Sequence, residues 1–432
     1  MPAKSLSVMV QPVGSNQPIA QINADVPRNP ASAIKLVTTW TALDLLGPTH
    51  RWPTEVYLGG PVQEGVLQGD LIIKGYGDPY LVLEDFWKML GDIRRSGTRV
   101  IQGDLVVDDS AFVRDPTKPG DFDGSAHRLY NVIPTAFTVN FNAIDFQLNS
   151  ALDSKSVVTT PALPNLKIID KAKRTKGKCK SRNIALRMQV SDANTVAFDG
   201  KLPADCRNYK VSRNVMSPLD YAFGAFQSTW AQWGGRIHGS VRRGQAPLGV
   251  KPIVVRQSRP LAEVIRPVNK WSNNVMARLL LYSIGAARQA LPVSRAQGAR
   301  VLADHLRKRG LNTKELVVDN GAGLSRRTRV TARFLVDLLQ LAWREPTMPE
   351  FVSSLSIAGK DGTTRKRFRK RPESGRMHVK TGMLRDVVAI AGYVHAKSGK
   401  DYAVAMVMNH KKATHGAGRA VQDALLAWVH KR

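Results

Sequence analysis

Ser32 and Lys35 lie three residues apart in the stretch Asn29-Pro30-Ala31-Ser32-Ala33-Ile34-Lys35-Leu36. A serine and a lysine at that spacing can do nucleophilic chemistry if the stretch is helical. Pro30 suits a first helical turn, because the N–H it lacks would be unpaired there. Trp40, Leu43 and Leu46 continue at helical spacing, so Ser32 and Lys35 share a face. A serine hydroxyl is a weak nucleophile at neutral pH. A lysine one turn away can act as its base if burial and a neighbouring cation hold the amine neutral. A helix start also points free N–H groups and the positive end of the dipole at a developing oxyanion. The combination suits acyl transfer. The pair alone decides nothing: serine at a helix start is a common cap, and Ser-x-x-Lys arises by chance on the order of once in a chain this long.

Partners decide between the two readings. Lys380-Thr381-Gly382 precedes two apolar runs near the C-terminus. On the edge strand of a sheet it would offer an ammonium and a hydroxyl to a substrate carboxylate. Ser272-Asn273-Asn274 would add a second hydroxyl to relay a proton and an amide to hold lysine and substrate in register. Ser-x-x-Lys, Ser-x-Asn and Lys-Thr-Gly, in that order, are the combination used by penicillin-recognising acyl transferases. Lookalikes exist in Ser181-Arg182-Asn183, Ser212-Arg213-Asn214 and Lys397-Ser398-Gly399. The first two fall in a β-rich region and the third in a turn between strands, whereas Ser272 lies in a helical stretch.

The elements that must position these groups follow from periodicity. Residues 6–10 and 19–22 read as an opening strand or hairpin before the Ser32 helix. From 52 onward the chain turns to short strands with glycine turns, with one helical segment at 81–96 and strand-like runs at 137–148, 157–169 and 184–196. This long middle region reads as an insertion. Helical spacing returns at 218–233, 260–290, 295–309 and 331–343, with a glycine-rich loop at 319–326. Two apolar strands at 387–395 and 402–409 and a helix at 416–430 close the chain. No internal repeat is apparent. The expectation is an α/β fold whose sheet is built from both chain ends.

At 432 residues the chain is long enough for two or three domains. Its longest apolar runs fall far short of the roughly 20 residues of a membrane-spanning helix. Residues 1–8 have no apolar core followed by a small-residue cleavage site, so the signal peptide of an exported form is expected to lie outside this sequence. The formal net charge of +30 favours a polyanionic neighbour, and it is concentrated in 171–182 and 365–371. Both runs can equally be solvated loops. Cys179 and Cys206 are too far apart for a Cys-x-x-Cys motif, which leaves a disulfide or two buried thiols. The histidines are scattered without a His-Glu-x-x-His pattern, so no metal and no cofactor are expected.

With these motifs the sequence resembles the serine D-alanyl-D-alanine carboxypeptidases and endopeptidases of the low-molecular-mass class C penicillin-binding proteins, the penicillin-binding protein 4 type. The resemblance runs through nearly the whole chain. It rests also on Gly69-Asp70-Leu71-Ile72-Ile73-Lys74-Gly75 with Gly77-Asp78-Pro79, on Gln102-Gly103-Asp104-Leu105-Val106-Val107-Asp108, and on Pro260-Leu261-Ala262-Glu263 leading to Asn269-Lys270. Gly321-Ala322-Gly323-Leu324-Ser325-Arg326 with Arg329-Val330-Thr331, and Ala358-Gly359-Lys360-Asp361-Gly362-Thr363, complete it.

The resemblance implies a β-lactamase/transpeptidase-like domain, an antiparallel sheet flanked by helices, over 1–55 and 246–432. It implies β-rich inserted domains, a second over 56–80 and 165–245 and a third over 81–164. It makes Ser32 the acylated nucleophile, Lys35 the base, Ser272 a proton relay and Asn274 the group that orients substrate and Lys35. Lys380, Thr381, Gly382 and Met383 would bind substrate, the first two through its terminal carboxylate, and the N–H groups of Ser32 and Met383 would form the oxyanion hole. The implied substrates are peptidoglycan stem peptides in the periplasm or on the outer envelope, with β-lactams as covalent inhibitors and no nucleic acid. The basic surface would suit an anionic wall. Two positions depart from the pattern: Asn273 replaces an Asp, and Met383 replaces a Ser or Thr whose hydroxyl helps hold the substrate carboxylate. The competing readings are a β-lactamase or esterase on the same scaffold, for which a Glu-x-x-Leu-Asn deacylation signature is missing, and a non-catalytic polyanion-binding protein.

Overall fold

The computed structural model describes residues 2–149, 156–191 and 194–432, and the chain divides into two compact units. Met1–Arg51, Phe112–Asp115 and Arg259–Arg432 form one, and Trp52–Ala111 with Pro116–Ser258 form the other.

The first unit is built on a six-stranded antiparallel sheet in the order Ser356–Ile357, Met377–Leu384, Val387–His395, Asp401–Asn409, Leu6–Pro12, Ala20–Ile22. Leu6–Pro12 pairs with Asp401–Asn409 through Leu6 opposite Met408, so the two chain ends share one sheet. Val387–His395 and Asp401–Asn409 are buried almost end to end, which explains their unbroken apolar runs: both faces are covered. Val388, Ile390 and Val394 pack with Leu426 and Val429 of the C-terminal helix Ala417–His430. Tyr393 points the other way and donates to the Leu339 carbonyl of helix Ala332–Arg344 at 2.7 Å.

Helices Lys35–Leu46, Leu261–Lys270, Asn274–Ala286 and Arg295–Lys308 pack on one another beside the sheet. The continuous helix expected over 260–290 is two helices. The first ends at Lys270, Ser272 takes a left-handed φ of 62°, and Asn273 restarts the helix by accepting from the Met276 N–H at 3.1 Å. The helix expected to begin at Ser32 instead starts as a 3₁₀ turn, Ala31–Ile34, and Lys35 is the first α-helical residue.

In the second unit a five-stranded mixed sheet, a four-stranded sheet and the helices Leu83–Arg95 and Pro218–Gln232 share a core around Phe86, Phe226 and Trp230. Strands of residues 144–213 form two further sheets, and Cys179 and Cys206 are joined by a disulfide. Leu71–Gly75 pairs in parallel with Leu105–Asp108, and Ile144–Asn149 pairs antiparallel with Tyr209–Arg213.

A repeat also emerges that the linear reading overlooked. Leu67-Gln68-Gly69-Asp70-Leu71, Ile101-Gln102-Gly103-Asp104-Leu105 and Ile237-His238-Gly239-Ser240-Val241 stack as three parallel rungs. Asp70 Oδ1 accepts from the Asp104 N–H and Asp104 Oδ1 from the Ser240 N–H, each at 2.7 Å, and Arg242 bridges both carboxylates. The glycines permit the stacking, since a Cβ on Gly239 would lie 2.3 Å from the Gly103 carbonyl oxygen. The third rung is far away in sequence and has lost both Gln and Asp, which hid it.

Candidate active site

The Ser32 turn is fixed from both sides. Asn29 Oδ1 accepts from the Ala31 N–H at 2.9 Å, its Nδ2 donates to the Ser325 carbonyl at 2.7 Å, and its backbone exchanges two 2.9 Å bonds with the Asn409 side chain. Between these anchors Ala31 is held at φ 47°, a costly conformation for a residue with a Cβ, directly before the serine. Neither asparagine carries a spacing signal that would single it out.

Lys35 is fully buried, and its Nζ meets three oxygens. Ser32 Oγ is at 3.0 Å, Asn274 Oδ1 at 2.6 Å and the Ala322 carbonyl at 2.5 Å. A neutral amine has two N–H donors and one lone pair. In that form the two donors go to Asn274 Oδ1 and the Ala322 carbonyl, which can only accept, and the lone pair faces the Ser32 hydroxyl; as an ammonium Lys35 donates to all three oxygens. Burial holds the Lys35 amine well below its ordinary pKa, and the cations of Lys380 and Arg278 lower it further. Arg278 stands one turn beyond Asn274 on the same helix and is buried.

The Ala322 carbonyl belongs to the glycine-rich loop. Asn320 Oδ1 accepts from the Ala322 and Gly323 N–H groups at 3.1 Å, and Gly323 has φ 79° with no room for a Cβ, which would sit 2.0 Å from the Ala31 carbonyl oxygen. Loop and serine turn are thus in backbone contact.

Lys380-Thr381-Gly382-Met383 lies on Met377–Leu384. The two-residue strand Ser356–Ile357 pairs only with Val379 and His378, so the motif half of the strand is an open edge. Alternation turns Lys380 and Gly382 toward the serine turn. A Cβ on Gly382 would lie 2.3 Å from the Pro30 carbonyl oxygen and 3.1 Å from the Ser32 amide nitrogen, so this close approach requires glycine. Lys380 is fully buried, donates to Ser272 Oγ at 2.9 Å and to the Thr381 carbonyl at 2.7 Å, and is pushed down to about 7 by desolvation. Thr381 and Met383 face the other way, opposite Ile390 and Val388. Thr381 Oγ1 is 2.8 Å from Thr363 Oγ1, and the Met383 side chain, 63% exposed, carries no hydroxyl into the site.

Ser32, Ser272, Thr381, Gly382 and Met383 line one cleft of about 380 Å³, with Lys35, Asn274 and Lys380 beneath it. All eight residues singled out from the sequence converge there. Asn29, Arg278, Ala322, Thr363 and the far wall with Arg367, Arg419 and Gln422 were not foreseen as parts of the site. Asn29 lies in the Ser32 stretch itself, and Ala322 and Thr363 in segments that carry the resemblance, but none had a role assigned; Arg278, Arg367, Arg419 and Gln422 arrive through segments that no local motif connects to Ser32. Asn273, where an Asp was expected, serves as the helix cap.

Known proteins are similar to this chain in sequence and in fold. The sequence matches the D-Ala-D-Ala carboxypeptidase 3 (S13) family over residues 1–432. It is 31% identical over 412 residues to a D-alanyl-D-alanine carboxypeptidase of Actinomadura sp. (strain R39), covering 92% of this chain and 76% of that one. It is 24% identical over 401 residues to the D-alanyl-D-alanine carboxypeptidase DacB of Haemophilus influenzae, covering 92% and 84%. The crystal structure of penicillin binding protein 4 (dacB) from Haemophilus influenzae has the same fold, with a TM-score of 0.84 at 23% identity over 99% of this chain and 96% of that one. That protein has also been solved in complex with a β-lactam.

Proposed function

This chain belongs to the D-Ala-D-Ala carboxypeptidase 3 (S13) family, and from that premise we propose how the residues of its cleft divide the work of a serine DD-peptidase of the penicillin-binding type. The carrying observation is the buried Lys35 amine, whose Nζ lies 3.0 Å from Ser32 Oγ, 2.6 Å from Asn274 Oδ1 and 2.5 Å from the Ala322 carbonyl, and whose pKa burial and neighbouring cations lower.

Lys35 takes the hydroxyl proton as Ser32 Oγ bonds to the penultimate D-alanyl carbonyl carbon. The N–H groups of Ser32 and Met383 receive the oxyanion. Ser272, hydrogen-bonded to Lys380, gives its hydroxyl proton to the leaving nitrogen as the C–N bond breaks and takes in return the proton that Lys35 removed from Ser32, which leaves Lys35 neutral again. Water then attacks the acyl-enzyme, Lys35 takes a proton from it, and the acid and free Ser32 hydroxyl are released. Asn274 turns its Oδ1 to Lys35 and its amide nitrogen to the substrate, and Lys380 with Thr381 meets the carboxylate. β-Lactams acylate the same serine.

The substrates are peptidoglycan stem peptides, met outside the cytoplasm. The Cys179–Cys206 disulfide supports an oxidising compartment. Incubation with a muramyl pentapeptide and with a cross-linked peptide dimer, followed by mass analysis, tests the reading. Release of D-alanine or of monomers is expected from wild type and not from Ser32→Ala. Equal product from Ser32→Ala, or none from either protein, would count against it.

A further inference from the structure

The cleft end beyond Thr381 is built differently from its catalytic end. Its wall is the first turn of the fourteen-residue helix Ala417–His430, whose cap Gly416 has φ 92° and no side-chain acceptor. Gly416 lines the cleft, so the positive end of the helix dipole opens onto it, while the Gly418 N–H of the first turn is given to the Ala413 carbonyl at 3.2 Å. Arg419 stands exposed on the same turn and lines the cleft as well. Beneath it Arg367, only 6% exposed, donates to Asp423 through Nε at 2.8 Å and to Gln422 Oε1 at 3.2 Å. The second bond fixes the Gln422 amide with its oxygen toward the arginine and its NH₂ turned away. Gln422 is 1% exposed, lines the cleft, and its Nε2 has no hydrogen-bond partner among the described residues. Two guanidinium groups with one carboxylate leave this end positive, and a buried donor awaits an acceptor.

We propose that Arg419, the Gln422 amide and the first turn of the C-terminal helix form an anion subsite that takes the carboxylate of the residue leaving the scissile bond. Thr381 and Met383 turn toward this helix's side of the strand, as their partners Ile390 and Val388 pack with Leu426. Met383 brings a thioether where a hydroxyl would otherwise meet that carboxylate. The subsite supplies the missing donors from the opposite wall. The assignment rests on Ser32 as nucleophile, which places the leaving residue beyond Thr381.

The test uses two thioester substrates with the same acyl-D-alanyl half, one leaving D-thiolactate with its free carboxylate and one leaving the thiolactamide. Full-length wild type, Arg419→Ala, Arg419→Lys and Gln422→Glu are compared by the ratio of kcat/KM on acid over amide. Wild type is expected to favour the acid by about tenfold or more, the scale of one charge-assisted contact. Arg419→Ala should lower the ratio about tenfold, Arg419→Lys should restore part of it, and Gln422→Glu should bring it below one. An unchanged ratio in Arg419→Ala and Gln422→Glu, with both substrates turned over, overturns the subsite and leaves the nucleophile standing. Failure of wild type to turn over either substrate or to be acylated by benzylpenicillin overturns both.

Discussion

At the scale of single residues, the site works by controlling where protons rest. Lys35 is useful only as a neutral amine, and burial with two flanking cations lowers its pKa toward that form. A base whose pKa is lowered is active above that value and lost as pH falls through it. The acylation rate should therefore have an acid limb set by Lys35. Removing the positive charge of Arg278 raises the Lys35 pKa, so Arg278→Met should move that limb to higher pH, with Arg278→Lys closer to wild type. A chromogenic cephalosporin in single turnover measures it, and an unmoved limb in a folded Arg278→Met would show that the guanidinium plays no part. Met383 gives a second test at this scale. Met383→Thr restores a hydroxyl at the strand edge and should raise kcat/KM on carboxylate-ended peptides by roughly 3–10-fold; an equal or lower value would show that the hydroxyl has no place in this cleft. Ser32, Lys35, Ser272, Asn274 and the Lys-Thr-Gly residues were legible in the sequence because their spacing is covalent and their chemistry is specific. Arg278 and the Ala322 carbonyl were not, since a buried guanidinium on a helix and a backbone oxygen in a loop look like any other until the chain is folded.

At the scale of elements, the catalytic geometry depends on two backbone approaches that only glycine permits, Gly323 against Ala31 and Gly382 against Pro30. Gly382→Ala must push the open strand edge away from the serine turn. A displacement of that kind is expected to slow acylation about 100-fold while the sheet, anchored by Val387–His395, stays folded. Stopped-flow acylation with a parallel thermal melt separates the two effects. Normal acylation by a folded Gly382→Ala would mean that the contact is not needed. Most elements were readable from periodicity. The exceptions are physical: the break at Trp271–Asn273 is made by a cap and a left-handed serine inside an otherwise apolar helical pattern, and the Ser32 turn is 3₁₀ because Asn29 and Asn409 hold it. The three-rung stack of the second unit was hidden because its rungs come from distant segments and the last has degenerated.

At the scale of the whole molecule, burying Lys380 links the site to stability. Unfolded, this amine titrates near 10.5; folded, it titrates near 7. Between those values the unfolded chain binds more protons, so this group's contribution to stability rises with pH from about 7 to about 10.5. It is least favourable below 7, where the folded state must hold a buried cation. Lys380→Met should raise Tm by roughly 2 °C or more at pH 6, with the difference from wild type shrinking toward pH 10. A difference independent of pH would contradict the assignment. The net charge of +30 acts at the same scale. The two basic runs are mostly exposed, yet each hides one arginine in an ion pair, Arg174 with Asp170 and Arg367 with Asp423, so the solvent-facing cations are the remaining ones. Binding to an anionic wall polymer should weaken steeply with salt, and neutralising Lys366, Arg369, Lys370 and Arg371 should reduce it. Co-sedimentation with anionic wall preparations reads this out, and retention unaffected by either change would exclude the surface.

The acyl-enzyme at Ser32 is the claim on which the rest depends, and intact-protein mass after incubation with benzylpenicillin tests it most directly. Wild type is expected to gain one drug mass and Ser32→Ala none. An adduct that persists in Ser32→Ala, or an unmodified wild type beside intact drug, would contradict it.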